Sequence, residues 1–161
     1  FEQYREQFAF LRDNGITTRT DMAAFTARTE ETLANLMKQR TVLNVRRKRR
    51  RTLYTALADA EALAPVKELY EAGLSGMETE FAQYMDAVAA LEQCGVPREG
   101  LIQEKAELYD RLAELNRQIR AERRKLALCR KIQNSLPRME QEIDKAEARE
   151  SEVRTNEHRR R

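Results

Sequence analysis

The chain has 161 residues and a net charge of +3, with 35% charged side chains, 6% aromatics, five glycines, three prolines and no tryptophan. That composition argues against a sandwich, a barrel or a doubly wound sheet, and points to narrow apolar seams between long helices rather than one large core. No apolar run approaches the about 18 residues of a membrane span or makes a secretory signal, so the expected compartment is cytoplasmic, with no membrane partner.

In chain order, residues 1–14 are expected as a short helix carrying Tyr4, Phe8 and Leu11 at helical spacing, with Gly15 as its left-handed cap. The opening Phe1, in place of Met, suggests a segment of a longer polypeptide. Thr18 stands three residues before Asp21, the spacing of an N-cap with an acid in the first turn, and opens a long helix over 19–61. Residues 62–97 are expected as an acidic helical cap: Pro65 to Gly73 reads as one brief helix, and Ser75 with Glu78 as a capping box opening another. The apolar stripe of that second cap helix is Phe81, Tyr84, Met85, Val88 and Leu91. A second long helix is expected over 98–145, kinked or restarted near Pro137, with 146–161 as a charged tail that frays.

On the second long helix, steps of four and three from Leu108 pass through Leu112, Leu115, Ile119, Glu122, Leu126, Cys129, Gln133, Leu136, Glu140 and Ile143. The first offers Met22, Phe25, Thr29, Leu33, Leu36, Arg40, Leu43, Tyr54 and Leu57. Matching the polar interruptions of the two stripes sets Arg40 against Glu122, Thr29 against Gln133, Leu36 against Leu126, Leu43 against Ile119 and Tyr54 against Leu108. The expected fold is therefore a single all-α domain: an elongated, coiled-coil-like antiparallel hairpin of two long helices, with the short-helix cap at one end.

Charge is distributed unevenly: residues 1–58 carry +6, 59–110 carry −9 and 111–161 carry +6. Between Thr32 and Ala58 there is no acid, but Lys38, Arg40 and the run Arg46, Arg47, Lys48, Arg49, Arg50, Arg51 all fall there. Six consecutive side chains turn through about 600° of helix, so some must lie along the seam, where Arg47 and Arg50 could cover Leu112 and Leu115 with their alkyl stems. Solvated helix faces ordinarily alternate in sign. An acid-free run dominated by arginine instead suits phosphate, which guanidinium grips with paired hydrogen bonds. The candidate DNA-binding residues are Arg46, Arg47, Lys48, Arg50, Arg51, Arg117, Arg120 and Arg124, with the tail at Arg159 to Arg161 as a further basic point. No aromatic stacking platform is expected within this patch, so contact should be to the DNA backbone and weakly sequence-selective.

Catalysis is not expected of this inventory. The one histidine is His158, and Cys94 and Cys129 stand 35 residues apart without a Cys-x-x-Cys partner. Neither a zinc site, another metal site, a cofactor loop nor a nucleophile with a histidine base can be assembled from them. Glu104, Glu107 and Asp110 are spaced like an exposed helix face, Tyr54 and Tyr109 like seam residues, and Cys129 like a small buried hydrophobe.

The break Asn14-Gly15-Ile16-Thr17-Thr18 before a long charged helix, and the later stretch LNRQIRAERRKLALCRKI over Leu115 to Ile132, carry a family likeness. Over roughly residues 8–145 the chain resembles the helical region that follows the catalytic domain in relaxases, the mobilisation nucleases of bacterial conjugative plasmids and transposons. Relaxases nick one DNA strand with a tyrosine and a histidine-bound metal on a preceding α/β domain. None of those motifs is matched here, so no catalytic residue carries over. The resemblance implies a non-catalytic accessory domain that contacts DNA during conjugative transfer, with an upstream catalytic domain and the conjugation machinery as partners. The alternative reading is a coiled-coil scaffold or oligomerisation module, such as a homodimer, with no nucleic-acid role.

Overall fold

In a computed structural model the described residues are 2–159; Phe1, Arg160 and Arg161 fall outside them, so of the basic point expected at the chain's end only Arg159 is described, exposed. Five helices follow one another: α1 (Glu2–Asp13), α2 (Arg19–Ala62), α3 (Ala64–Glu71), α4 (Glu78–Gln93) and α5 (Arg98–Arg159). No strand occurs among the described residues, and the fold is all-α. The chain packs as two compact units, one formed by residues up to Ala34 with those from Arg120 onward, the other by Asn35–Ile119.

In the first unit, α1 ends as its glycine foretells. Gly15 takes φ +64°, the Ile16 amide donates back to the Leu11 carbonyl and the Gly15 amide to that of Arg12, the paired bonds of a Schellman cap. The α2 start is a reciprocal cap: Thr18 Oγ1 accepts from the Asp21 amide at 3.0 Å, while Asp21 Oδ2 accepts from the Thr17 and Thr18 amides at 3.1 and 3.0 Å. With the turn held from both sides, Ile16 packs with Met22, Cys129 and Ile132. Phe10 meets Phe25 edge to face, ring centres 5.5 Å apart.

The inward face of α1 differs from expectation. Tyr4 and Phe8 are exposed, and the row turned inward is Gln7, Phe10 and Leu11. The Schellman cap and the Phe10–Phe25 contact set the rotation of the helix, and Gln7 is carried inside with them. Its amide is enclosed with neither nitrogen nor oxygen hydrogen-bonded.

The α2 and α5 segments of this unit run antiparallel: Arg19 pairs with Glu140, and Gln133 donates to Thr26. The expected Thr29–Gln133 match is thus replaced. Thr29 is buried but satisfied locally, its hydroxyl donating to the Phe25 carbonyl. The seam also departs from the stripe: after Cys129 the buried residue is Ile132, not Gln133, and Ile132 packs with Ile16 and Met22. Through Pro137 and past residue 145 the helix continues to Arg159, where a frayed tail was expected. Its Ala, Glu and Arg residues favour helix without packing, and the missing apolar residues deprive it of a partner rather than of helicity.

In the second unit, Tyr54, Leu108 and Leu112 form one buried cluster, with Leu43 against it. Tyr54 and Leu108 meet as expected. Arg40, expected against Glu122, hydrogen-bonds Asn116 at 3.2 Å; Glu122, in the first unit, accepts from Lys125 of its own helix at 2.9 Å. A polar residue on a seam can be answered from its own helix, so interruptions need not match across it.

The cap closes over this unit through Ala56, Leu57 and Ala60 of α2, Ala87 and Leu91 of α4, and Leu101 of α5. Alanine at the crossing lets backbones approach closely, which is why Ala87 is buried while Met85, expected on the stripe, is exposed. Helix α4 begins after Met77, and Glu78 accepts from the Gly76 amide at 3.3 Å. Ser75 is therefore not its cap: Gly76, at φ +87°, turns the chain before the helix can start.

Two outcomes are expected. Gln7→Leu keeps the shape roughly and removes two enclosed polar groups, so it should raise unfolding free energy by about 1–3 kcal/mol in denaturant titrations. Hydrogen bonds from Thr17 and Thr18 lower the Asp21 pKa. Its contribution is therefore present above the ordinary aspartate range and lost as pH falls through the lowered value. The stability gap between wild type and Asp21→Asn should narrow on acidification through that window.

Candidate nucleic-acid interface

The six bases of α2 are divided by one carboxylate. Glu104 of α5, sheltered beside the Tyr54 cluster, accepts from Arg46 at 3.0 Å and Arg50 at 3.3 Å. These two, one helical turn apart, have their charge answered by it. Arg47, Lys48, Arg49 and Arg51 are exposed and, among the described residues, have no carboxylate within the 4.0 Å of an ion pair. The stem-covering role expected for Arg50 and Arg47 divides likewise: Arg50 is half-buried against Glu104, and Arg47 stays outside.

Asn44, Arg47, Lys48, Arg51, Thr55 and Ala58 share one face of α2, since each lies three or four residues from another of the set. They wall an open cleft of about 700 Å³ whose other wall is Lys105 and Tyr109 of α5, one turn apart. Lys105 stands between two rings, its Nζ 5.9 Å from the centre of Tyr54 and 6.0 Å from that of Tyr109. Tyr109 is 45% exposed. Tyr54 is 5% exposed, and its enclosed hydroxyl has no hydrogen-bond partner. Burial, with Glu104 nearby, raises its pKa, so the phenol stays protonated and is a donor.

Of the other candidate residues, Arg117 lies in the same unit but is held by Glu114 three residues earlier. Arg120 and Arg124 belong to the first unit, both exposed and without a carboxylate partner among the described residues. Arg111 donates to Gln39 at 2.9 Å.

Two expectations are corrected. Glu104 is not part of an exposed acidic face, because Arg46 and Arg50 close over it. The patch does contain an aromatic ring, since Tyr109 falls beyond the buried edge of the seam beside the basic wall. Tyr109, expected as a seam residue, is instead 45% exposed, and Lys105 carries no signal in its acidic stretch beyond its four-residue spacing from Tyr109. Cys129 is a fully buried hydrophobe of the first unit.

Among the described residues no helix is long and apolar enough to cross a membrane, and no three His, Cys, Asp or Glu side chains gather as a metal-ligand set. No family model, no curated protein and no solved structure matches the chain.

Proposed function

We propose that the chain is a non-catalytic helical module that contacts DNA through the basic segment of α2. One observation carries this reading: within an acid-free stretch, four cations of one run, Arg47, Lys48, Arg49 and Arg51, are exposed and without a carboxylate partner among the described residues, although an acid is at hand for their neighbours Arg46 and Arg50. A structural helix face would spread its charges into pairs; a phosphate-binding one keeps them free. The resemblance to the helical region of relaxases supports placing the contact in conjugative DNA transfer, with nicking chemistry supplied by a catalytic domain elsewhere in the polypeptide. A second reading, a scaffold that recruits a partner helix, is favoured by Ile143 and Val153, which are exposed on α5 beyond the buried seam.

Four neutralised phosphates give a log affinity against log salt slope of about −4 on duplex DNA and about −3 on a single strand. Replacing Arg47, Lys48, Arg49 and Arg51 together by Gln spares the Glu104 pairs and keeps helix propensity. The variant should retain its helical circular dichroism and bind DNA at least about tenfold more weakly at about 50 mM salt. Equal binding by the variant, or no binding by wild type to either form of DNA, would move the scaffold reading to first place.

A further inference from the structure

The cleft in the second unit combines three things that a merely solvated basic face does not need. Arg47, Lys48 and Arg51 line one wall, Tyr109 offers an open ring on the other, and Tyr54 brings an enclosed hydroxyl with no acceptor. A buried donor without a partner is disfavoured until something supplies an acceptor. Past Tyr109 and Lys105 the surface continues into a second cleft of about 630 Å³ whose lining includes Leu57, Ile102 and Ala106. The cationic wall thus passes across an aromatic ring to an apolar floor.

We propose that this cleft is a binding site for a nucleoside phosphate: phosphate oxygens on Arg47, Lys48 and Arg51, the Tyr54 hydroxyl donating to one of them, and the base against the Tyr109 ring. Arg47 and Arg51, one turn apart, can fork two oxygens of the same group. Lys105, whose Nζ lies 5.9 Å from the Tyr54 ring centre and 6.0 Å from that of Tyr109, adds a further cation to the same cleft. An inorganic anion would leave the ring and the apolar floor unused. A duplex keeps its bases stacked and out of reach of a side chain outside it. The cleft volume lies within the about 300–1,000 Å³ of small-molecule sites. The ligand chemistry comes equally from a free nucleotide or from an unpaired nucleotide in a strand; in the second case the inference rests on the DNA-contact reading above.

The test is equilibrium binding to the full chain at about 50 mM salt, with ADP, a short oligothymidylate, a blunt duplex and inorganic pyrophosphate as separate probes. ADP, oligothymidylate or both should bind more tightly than pyrophosphate. Tyr109→Ala should weaken whichever binds by about fivefold or more, as loss of base stacking does, and leave pyrophosphate and duplex unchanged; Tyr109→Phe should restore binding. Tyr54→Phe should weaken the same probes severalfold without lowering the melting temperature, a result that a purely structural tyrosine would not give.

If ADP alone shows the Tyr109 dependence and no DNA binds, the cleft is a free-nucleotide site and the DNA-contact reading falls. Dependence with oligothymidylate assigns the site to a strand. If duplex binds but Tyr109→Ala handles ADP and oligothymidylate as wild type does, or neither probe binds at all, the nucleoside-phosphate site is overturned while charge-based DNA contact stands.

Discussion

A helix rotates by about 100° at each residue, so a run of six cations has to be shared out around it. Glu104 does the sharing. It sits at the edge of the buried Tyr54 cluster and binds Arg46 and Arg50, whose spacing of four puts both within its reach. Only the carboxylate is sheltered; the two arginines bridged to it stay partly in solvent but have their charge answered. What remains, Arg47, Lys48 and Arg51 on the neighbouring row, is thereby aligned along the cleft with Lys105 and Tyr109. The same turn of α5 supplies both the anchor, Glu104, and the cleft's first contact, Lys105, one residue later.

The two units solve helix packing differently. Around Ala56, Ala60 and Ala87 small side chains let α2 and α4 come close, and Leu57, Leu91 and Leu101 fill the space between. In the other unit a continuous Schellman cap and reciprocal N-cap bend the chain within four residues, 15–18, and hang α1 on the Phe10–Phe25 contact. Both depend on a thin seam rather than a deep core, as expected of a chain with few aromatics and no tryptophan.

Helix type, number and most boundaries were legible because Gly15, Gly73 and Pro97 punctuate a sequence with little else to interrupt it. The seam residues were legible too: Leu112, Leu115, Ile119 and Leu126 are all buried. Rotation of a short helix was not. Phe8 and Phe10 are equally apolar, and only the tertiary contact with Phe25 chooses between them. Register was obscured because Glu122 and Thr29 find partners on their own helices, which erases the matching that polar interruptions were expected to enforce. At the candidate site the α2 wall stood out by charge alone. The α5 wall did not, since a lone lysine and a tyrosine acquire meaning only when the fold sets them opposite arginines.

The two cysteines fall one in each unit, Cys94 half-buried at the end of α4 and Cys129 wholly enclosed between Ile16, Met22 and Ile132. Burial raises the Cys129 pKa, so its thiol is both shielded and un-ionised while the packing around it holds. Its chemical accessibility is therefore a clock for the opening of the unit that holds it, distinct from the more accessible Cys94 thiol in the other. A chain without tryptophan thus carries its own covalent probes of local unfolding, one for each of the two places where its helices come together.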